Sequence, residues 1–219
     1  YPPDVPKKRW LEHYAEHFDT VEINSTFYHM PRAEVCEGWG RRAPEGFCFA
    51  LKLNRVITHR HRLADAAEAM ETFLAAARTL GEKLGPVLVQ LPPRFAVDPE
   101  RLGRFLDQCP ARHLWAVEFR DPSWLCERVF HVLRDHNAAL VVHDLIPDHC
   151  HEVTADFTYL RFHGPGGHDG CYSPDWLRET ARRIDEHLSA HLDVFVYFNN
   201  DVAGHAVRNA AELKERVTK

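Results

Sequence analysis

The chain has 219 residues, 45% of them hydrophobic and 27% charged, with a formal net charge of −5. That length suits one large α/β domain with a real core, and the acidic balance leaves room only for a local basic groove if nucleic acid is the partner. No apolar stretch approaches the roughly 18 residues of a membrane span, and six cysteines without a C-x-x-C pair argue against a zinc ribbon and for a reduced, cytoplasmic protein.

In chain order, residues 6–18 carry Trp10, Tyr14 and Phe18 at helical spacing, with Pro6 as a helix starter. A strand-type apolar run follows at 21–24 and ends on Glu22 and Asn24. Pro31 opens a second helix bearing Val35 and Trp39, and a second run, 49–52, ends on Lys52. The Ala- and Glu-rich span 63–83 predicts a helix stopped by Gly81 and Gly85. Run 87–90 ends on Gln90. Asp98-Pro99 reads as an N-cap followed by proline at the first helical position, and run 115–118 ends on Glu118. Asp121-Pro122 repeats the cap pattern before run 140–144, which ends on His143 and Asp144. Residues 145–158 are too short and polar for a full helix, and run 159–163 ends on Arg161 and His163. Ser173-Pro174 starts a helix with Trp176, Leu177, Ile184 and Leu188, run 194–199 ends on Asn199, and a last helix spans roughly 203–217.

Alternation of this kind predicts a parallel sheet with right-handed crossovers. An open doubly wound sheet usually carries a glycine-rich phosphate loop after its first strand, and neither G-x-G-x-x-G nor a P-loop occurs here. The expectation is therefore one domain, 1–219, folded as a TIM-type (β/α)8 barrel whose first strand is missing before Tyr1.

Barrel enzymes place their chemistry at the C-terminal ends of the strands. Side chains alternate along a strand, so residues two apart share a face: Glu22 with Asn24, Glu118 with Arg120, Arg161 with His163, Asn199 with Asp201. Lys52 and Gln90 sit at equivalent ends, and parity alone does not choose between His143 and Asp144. Such a mouth mixes charges of both signs, and buried charges require pairing. One reading is an ion-pair network that only fixes the barrel. The other is a polar site in which Lys52, Arg120 and Arg161 hold an anionic or polyhydroxylated ligand while carboxylates and His163 transfer protons. Three cations oppose a bound metal by like-charge repulsion, so neither a metal nor another cofactor is expected. Tyr28 and His59 lie in the loops after Glu22 and Lys52. The stretch 163–167, followed by Tyr172, has the glycine content of a lid.

Taken together, several motifs resemble the YecE-like family, the domain of unknown function seventy-two. They are Val21-Glu22-Ile23-Asn24-Ser25-Thr26-Phe27-Tyr28, Phe49-Ala50-Leu51-Lys52, Val89-Gln90-Leu91-Pro92-Pro93, Val117-Glu118-Phe119-Arg120, Tyr159-Leu160-Arg161-Phe162-His163-Gly164 and Tyr197-Phe198-Asn199-Asn200-Asp201. The resemblance implies a TIM barrel of unsettled activity and favours Asp144 over His143. It also implies a Gly-Thr-Ser-Gly-Trp-type first strand that this chain lacks, and a likeness to the barrel of endonuclease IV. Residues and resemblance together give Glu22, Glu118, Asp144 and His163 as catalytic candidates. The ligand-binding candidates are Asn24, Tyr28, Lys52, His59, Gln90, Arg120, Arg161, Tyr172, Asn199, Asn200 and Asp201. The expected function is a metal-independent enzyme, a hydrolase or lyase, on a small anionic or polyhydroxylated substrate. The alternatives are a nucleic-acid binding or repair protein and a non-catalytic ligand sensor.

Overall fold

The computed structural model describes residues 1–166 and 170–217. Seven parallel strands follow one another in sheet order: β1 (Thr20–Ile23), β2 (Cys48–Lys52), β3 (Leu84–Gln90), β4 (Trp115–Glu118), β5 (Ala138–His143), β6 (Phe157–Phe162) and β7 (Asp193–Phe198). They form a nearly closed TIM-type barrel. The helices are α1 (Trp10–Ala15), α2 (Ser25–Tyr28), α3 (Ala33–Arg42), α4 (Ala67–Ala77), α5 (Pro99–Leu106), α6 (Glu127–Asp135), α7 (Pro174–Ser189) and α8 (His205–Val217). As the polarity of 145–158 suggested, no helix joins β5 to β6. Among the described residues no helix is long and apolar enough to cross a membrane.

Parity sorts each strand. Ala50, Leu88, Ala116, Ala139, Val141, Phe157, Tyr159 and Tyr197 pack together inside the barrel. The alternate residues, among them Phe49, Val87, Val117 and Leu140, face the helices in the largest core cluster. Three of the five inner residues on β2–β5, Ala50, Ala116 and Ala139, are alanines, which leaves volume for the long polar side chains one step further along each strand.

Two predicted helices differ from the expectation. Leu63 and Asp65 adopt left-handed backbone (φ 69° and 45°), so α4 starts only at Ala67. It then passes into a 3-10 turn, Arg78–Lys83, broken at Gly81 (φ 58°). Asp121 does cap, accepting from the Ser123 amide, but it caps a single 3-10 turn, Pro122–Trp124. That turn drives Trp124 into the core, stacked on Phe119 at 4.8 Å between centroids, and α6 begins only at Glu127.

Gly85 sits where β2 and β3 approach across a register irregularity. A Cβ there would collide with Cys48 Sγ. Gly85→Ala is expected to lower unfolding free energy by about 1–3 kcal/mol through overpacking, and Cys48→Ala in the same chain to recover most of it. Urea denaturation of the two single variants and the double checks both.

Among the described residues no ladder joins β1 to β7; the Thr20 and Tyr197 hydroxyls bridge them at 2.7 Å. A cleft of about 590 Å³ runs along this seam. Tyr14, Phe18, Val194 and Val196 line its apolar part, and Glu22, Asn24 and Asn199 its mouth end.

Candidate functional site

Each strand delivers its inward residue to one level. Lys52, Gln90, Glu118, His143 and Arg161 are all buried there, because each follows an inner core residue by two positions. Register confirms the level: Gln90 is opposite Glu118, and His143 opposite Arg161.

Arg161 is the hub. Its Nε donates to both Glu22 oxygens at 3.0 Å and its Nη2 to Glu22 Oε1 at 2.9 Å. Its Nη1 reaches Glu118 Oε2 at 3.1 Å and His163 Nε2 at 2.7 Å, with Asn24 and Asn199 at 3.5 and 3.4 Å from Nη2. The guanidinium fork thus ties β1 to β4 across the barrel, with side-chain exposures of 5%, 4% and 0% for Arg161, Glu22 and Glu118. Tyr159, two residues before Arg161, donates its hydroxyl to Glu22 Oε2 at 2.6 Å. Sequence reasoning missed Tyr159, although the same parity that named Arg161 points to it.

Burial alone would raise the Glu118 carboxyl. Arg161 and Arg120 overcome it and hold Glu118 well below the usual carboxylate range, at about 2. Burial likewise opposes charge on Arg161, and Glu118 with Glu22 outweighs it, so that guanidinium is held more firmly protonated than usual. Arg120 closes the network from above. Its Nε donates to Glu118 Oε1, its Nη2 lies 3.4 Å from Gln90 Oε1 and 3.3 Å from His163 Nε2, and its side chain is 18% exposed.

Lys52 differs from the two arginines. Nζ donates to Gln90 Oε1 at 2.7 Å and sits 4.3 Å from the Phe27 ring centroid. Burial, together with Arg161 and Arg120 and against the pull of Glu118 and Glu22, lowers the ammonium pKa to about 8. His59, beyond the strand, bonds the Thr58 hydroxyl through Nδ1 at 2.9 Å and packs edge-on to Phe27. Burial and the charge of Lys52 push it down to about 4.

The structure resolves the end of β5, where parity alone left two residues open. His143 points inward, with Nε2 2.7 Å from the Phe119 carbonyl and Nδ1 accepting from the Leu145 amide. Asp144 turns toward the end of β6. It accepts from the His163 amide at 2.9 Å and the Gly164 amide at 3.2 Å, from the Tyr172 hydroxyl, and lies 3.3 Å from His163 Nδ1. These contacts outweigh burial and hold Asp144 at about 2. With Nε2 of His163 facing two guanidinia, its proton belongs on Nδ1, toward Asp144.

The remaining candidates divide. Asn24 bonds Glu22 at 3.0 Å. Asn199 leaves its Nδ2 buried without a partner among the described residues. Tyr172 is not an exposed stacking platform: it is buried, stacked on Trp176 at 3.9 Å. Asn200 does not face the mouth either, since its Nδ2 binds Asn209 Oδ1 and the Gly170 carbonyl, each at 3.0 Å. Tyr28 is 58% exposed at the rim, and Asp201 is exposed beyond β7. The proposed lid reaches Gly167, which lies outside the described residues. His13, Glu16 and His17 bring potential metal ligands within 4.8 Å of one another, but they precede β1, at the opposite end of the strand from Glu22.

The whole chain, residues 1–219, matches the family described as "Protein of unknown function DUF72". It is 26% identical to UPF0759 protein YunF of Bacillus subtilis over 98% of this chain and 89% of that one. It is 32% identical to UPF0759 protein YecE of Escherichia coli over 53% of this chain and 43% of that one. Among solved structures, a DUF72 family protein from Thermotoga maritima superposes with a TM-score of 0.85 at 28% identity, covering 100% of this chain and 93% of that one. One from Enterococcus faecalis gives 0.84 at 23% identity, over 95% and 88%, and so supports the fold.

Proposed function

This chain belongs to the DUF72 family of proteins of unknown function, and from the charge distribution at its barrel mouth we propose that it is an enzyme acting on a small phosphate- or carboxylate-bearing substrate. One observation carries the reading. Glu22 pairs with Arg161, and Glu118 is divided between Arg161 and Arg120, whereas Lys52 has no carboxylate within ion-pair distance among the described residues. Lys52 has a neutral amide as its hydrogen-bond acceptor, and Arg120 shares Glu118 with Arg161. An anion seated there would complete the pairing that buried cations require. The orphan Nδ2 of Asn199 and the Asn24 amide are placed to bind hydroxyls of the same substrate.

Glu118 and Asp144 are too acidic to serve as bases near neutral pH. In this reading they stabilise charge, and Asp144 sets the tautomer of His163. Lys52, at about 8, has the proton affinity suited to transfer near neutrality. The nucleic-acid and sensor readings draw no support from the relatives, whose names state no activity.

Thermal unfolding with added phosphate or pyruvate tests the proposal. An anion present at about ten times its Kd should stabilise the wild type by about 1.4 kcal/mol, and Arg120→Ala should lose most of that shift. Equal stabilisation of both proteins, or of neither, rejects it.

A further inference from the structure

We propose that Lys52 forms an imine with a small carbonyl compound that also bears an anionic group, an oxo acid or a phosphorylated aldehyde or ketone, while Arg120 holds the anion. This inference rests on the anion-site reading and names its substrate class. Lys52 is the last residue of β2, inward by parity after Ala50, and 8% exposed. Its surroundings suit a nucleophilic amine better than a permanent cation. Gln90 Oε1 accepts from both Lys52 Nζ, at 2.7 Å, and Arg120 Nη2, at 3.4 Å. The amine and the guanidinium therefore share one acceptor and stand side by side.

The groups facing Lys52 from each neighbouring element favour the same chemistry. Phe27 of α2 covers one side of the ammonium. Glu22 of β1 and Glu118 of β4 attract its proton, but both are hydrogen-bonded to guanidinia. Arg120 and Arg161 repel it, as would a protonated His59. Among the described residues no carboxylate lies within ion-pair distance of Nζ. An amine lowered to about 8 has a much larger neutral fraction near pH 7 than an ordinary lysine. Desolvation and neighbouring cations are a recognised route to a nucleophilic lysine.

The step balances without oxidant or reductant. The lone pair of neutral Nζ attacks the carbonyl carbon and forms the C–N bond as the C=O electron pair moves onto oxygen. That oxygen takes both amine hydrogens and leaves as water, with C=N in its place. Taking one proton from solvent on its nitrogen, the imine becomes an iminium, which draws electrons from the adjacent carbon and so would promote proton removal or carbon–carbon cleavage there. Its positive charge would rest near Glu118 and Glu22.

The experiment incubates the protein with glyoxylate, pyruvate or glycolaldehyde phosphate and adds sodium cyanoborohydride, which converts an imine to a stable secondary amine. Peptide mapping by mass spectrometry then locates the label. Lys52 should carry at least about tenfold more label than any other lysine, and its initial labelling rate should rise with pH to a plateau above an apparent pKa near 8. Excess inorganic phosphate should suppress labelling by competing at Arg120. Lys52→Arg, which keeps the charge, should abolish the preferred label. Label spread evenly over surface lysines, or a rate that keeps rising through pH 10, overturns the imine. If phosphate still stabilises the protein in that case, the anion site stands and only the imine falls; if it does not, both fall.

Discussion

Arg161→Met should lower the unfolding free energy by about 3–5 kcal/mol, the range seen when one partner of a buried ion pair is removed. The guanidinium places all of its donors on Glu22, Glu118, His163, Asn24 and Asn199. Its removal leaves two carboxylates within the barrel, and Glu118, fully buried, keeps only Arg120. A domain of this kind is stable by about 5–15 kcal/mol, so the loss is a large fraction of the total. Restoring neutrality in the triple variant Glu22→Gln, Glu118→Gln, Arg161→Met should recover much of it, since well-packed neutral replacements of buried ion networks are often tolerated. Urea denaturation at neutral pH measures both. A loss below about 1.5 kcal/mol for the single variant would show that the network contributes little to holding the barrel. Arg161 is thus a poor probe of function, because its loss damages the fold; Arg120, half-buried at the rim of the network, is the informative substitution.

Acidification should destabilise the protein before any carboxylate titrates. His143 is buried with both ring nitrogens engaged, so burial holds its imidazole neutral down to about 4 although Glu118 and the Phe119 carbonyl partly oppose this. In the unfolded chain the same group takes a proton near 6.5. Between those values the unfolded state binds more protons, and stability falls as pH falls. The contribution is complete above about pH 6.5 and lost by about pH 4, and amounts to about 3 kcal/mol for this one group. His163 and His149 shift in the same direction. Glu118 and Asp144, at about 2, add their losses only below the ordinary carboxylate range. Urea midpoints from pH 7.5 to 4.5 give the slope, and His143→Gln should reduce it. A flat profile from 6.5 to 4.5 contradicts the assignment of His143 as a neutral buried group.

Local signals carried the reading of the strands because they need only local physics. Alternation along the chain places Glu22 with Asn24, Glu118 with Arg120 and Arg161 with His163, and in each pair the structure shows the two side chains in hydrogen-bond contact. The capping signals at Asp98 and Ser173 hold for the same reason, since a side-chain oxygen accepts an amide two or three residues on. The pattern fell short where a residue's direction depends on what lies across the loop. Tyr172 looks like an exposed aromatic beside glycines, yet its hydroxyl is drawn inward to Asp144 and Gly164. The Asp121 cap is genuine, but the core space available to Trp124 ends the turn after three residues.

By itself, then, the sequence determined the order of seven apolar strands, their parallel alternation with helices, and the shared face of strand-end pairs such as Glu22 with Asn24 and Arg161 with His163. Those properties follow from a two-residue period and from the demand that apolar runs be covered. Only the tertiary structure decided how the mouth charges combine: Arg161 with Glu22 across the barrel, Arg120 with the opposite side of Glu118, and Lys52 with an amide and an aromatic ring. Such pairings depend on strand tilt, stagger and closure, which fix distances between residues as far apart as Glu22 and Arg161. The same five charges, paired differently, would describe a different site.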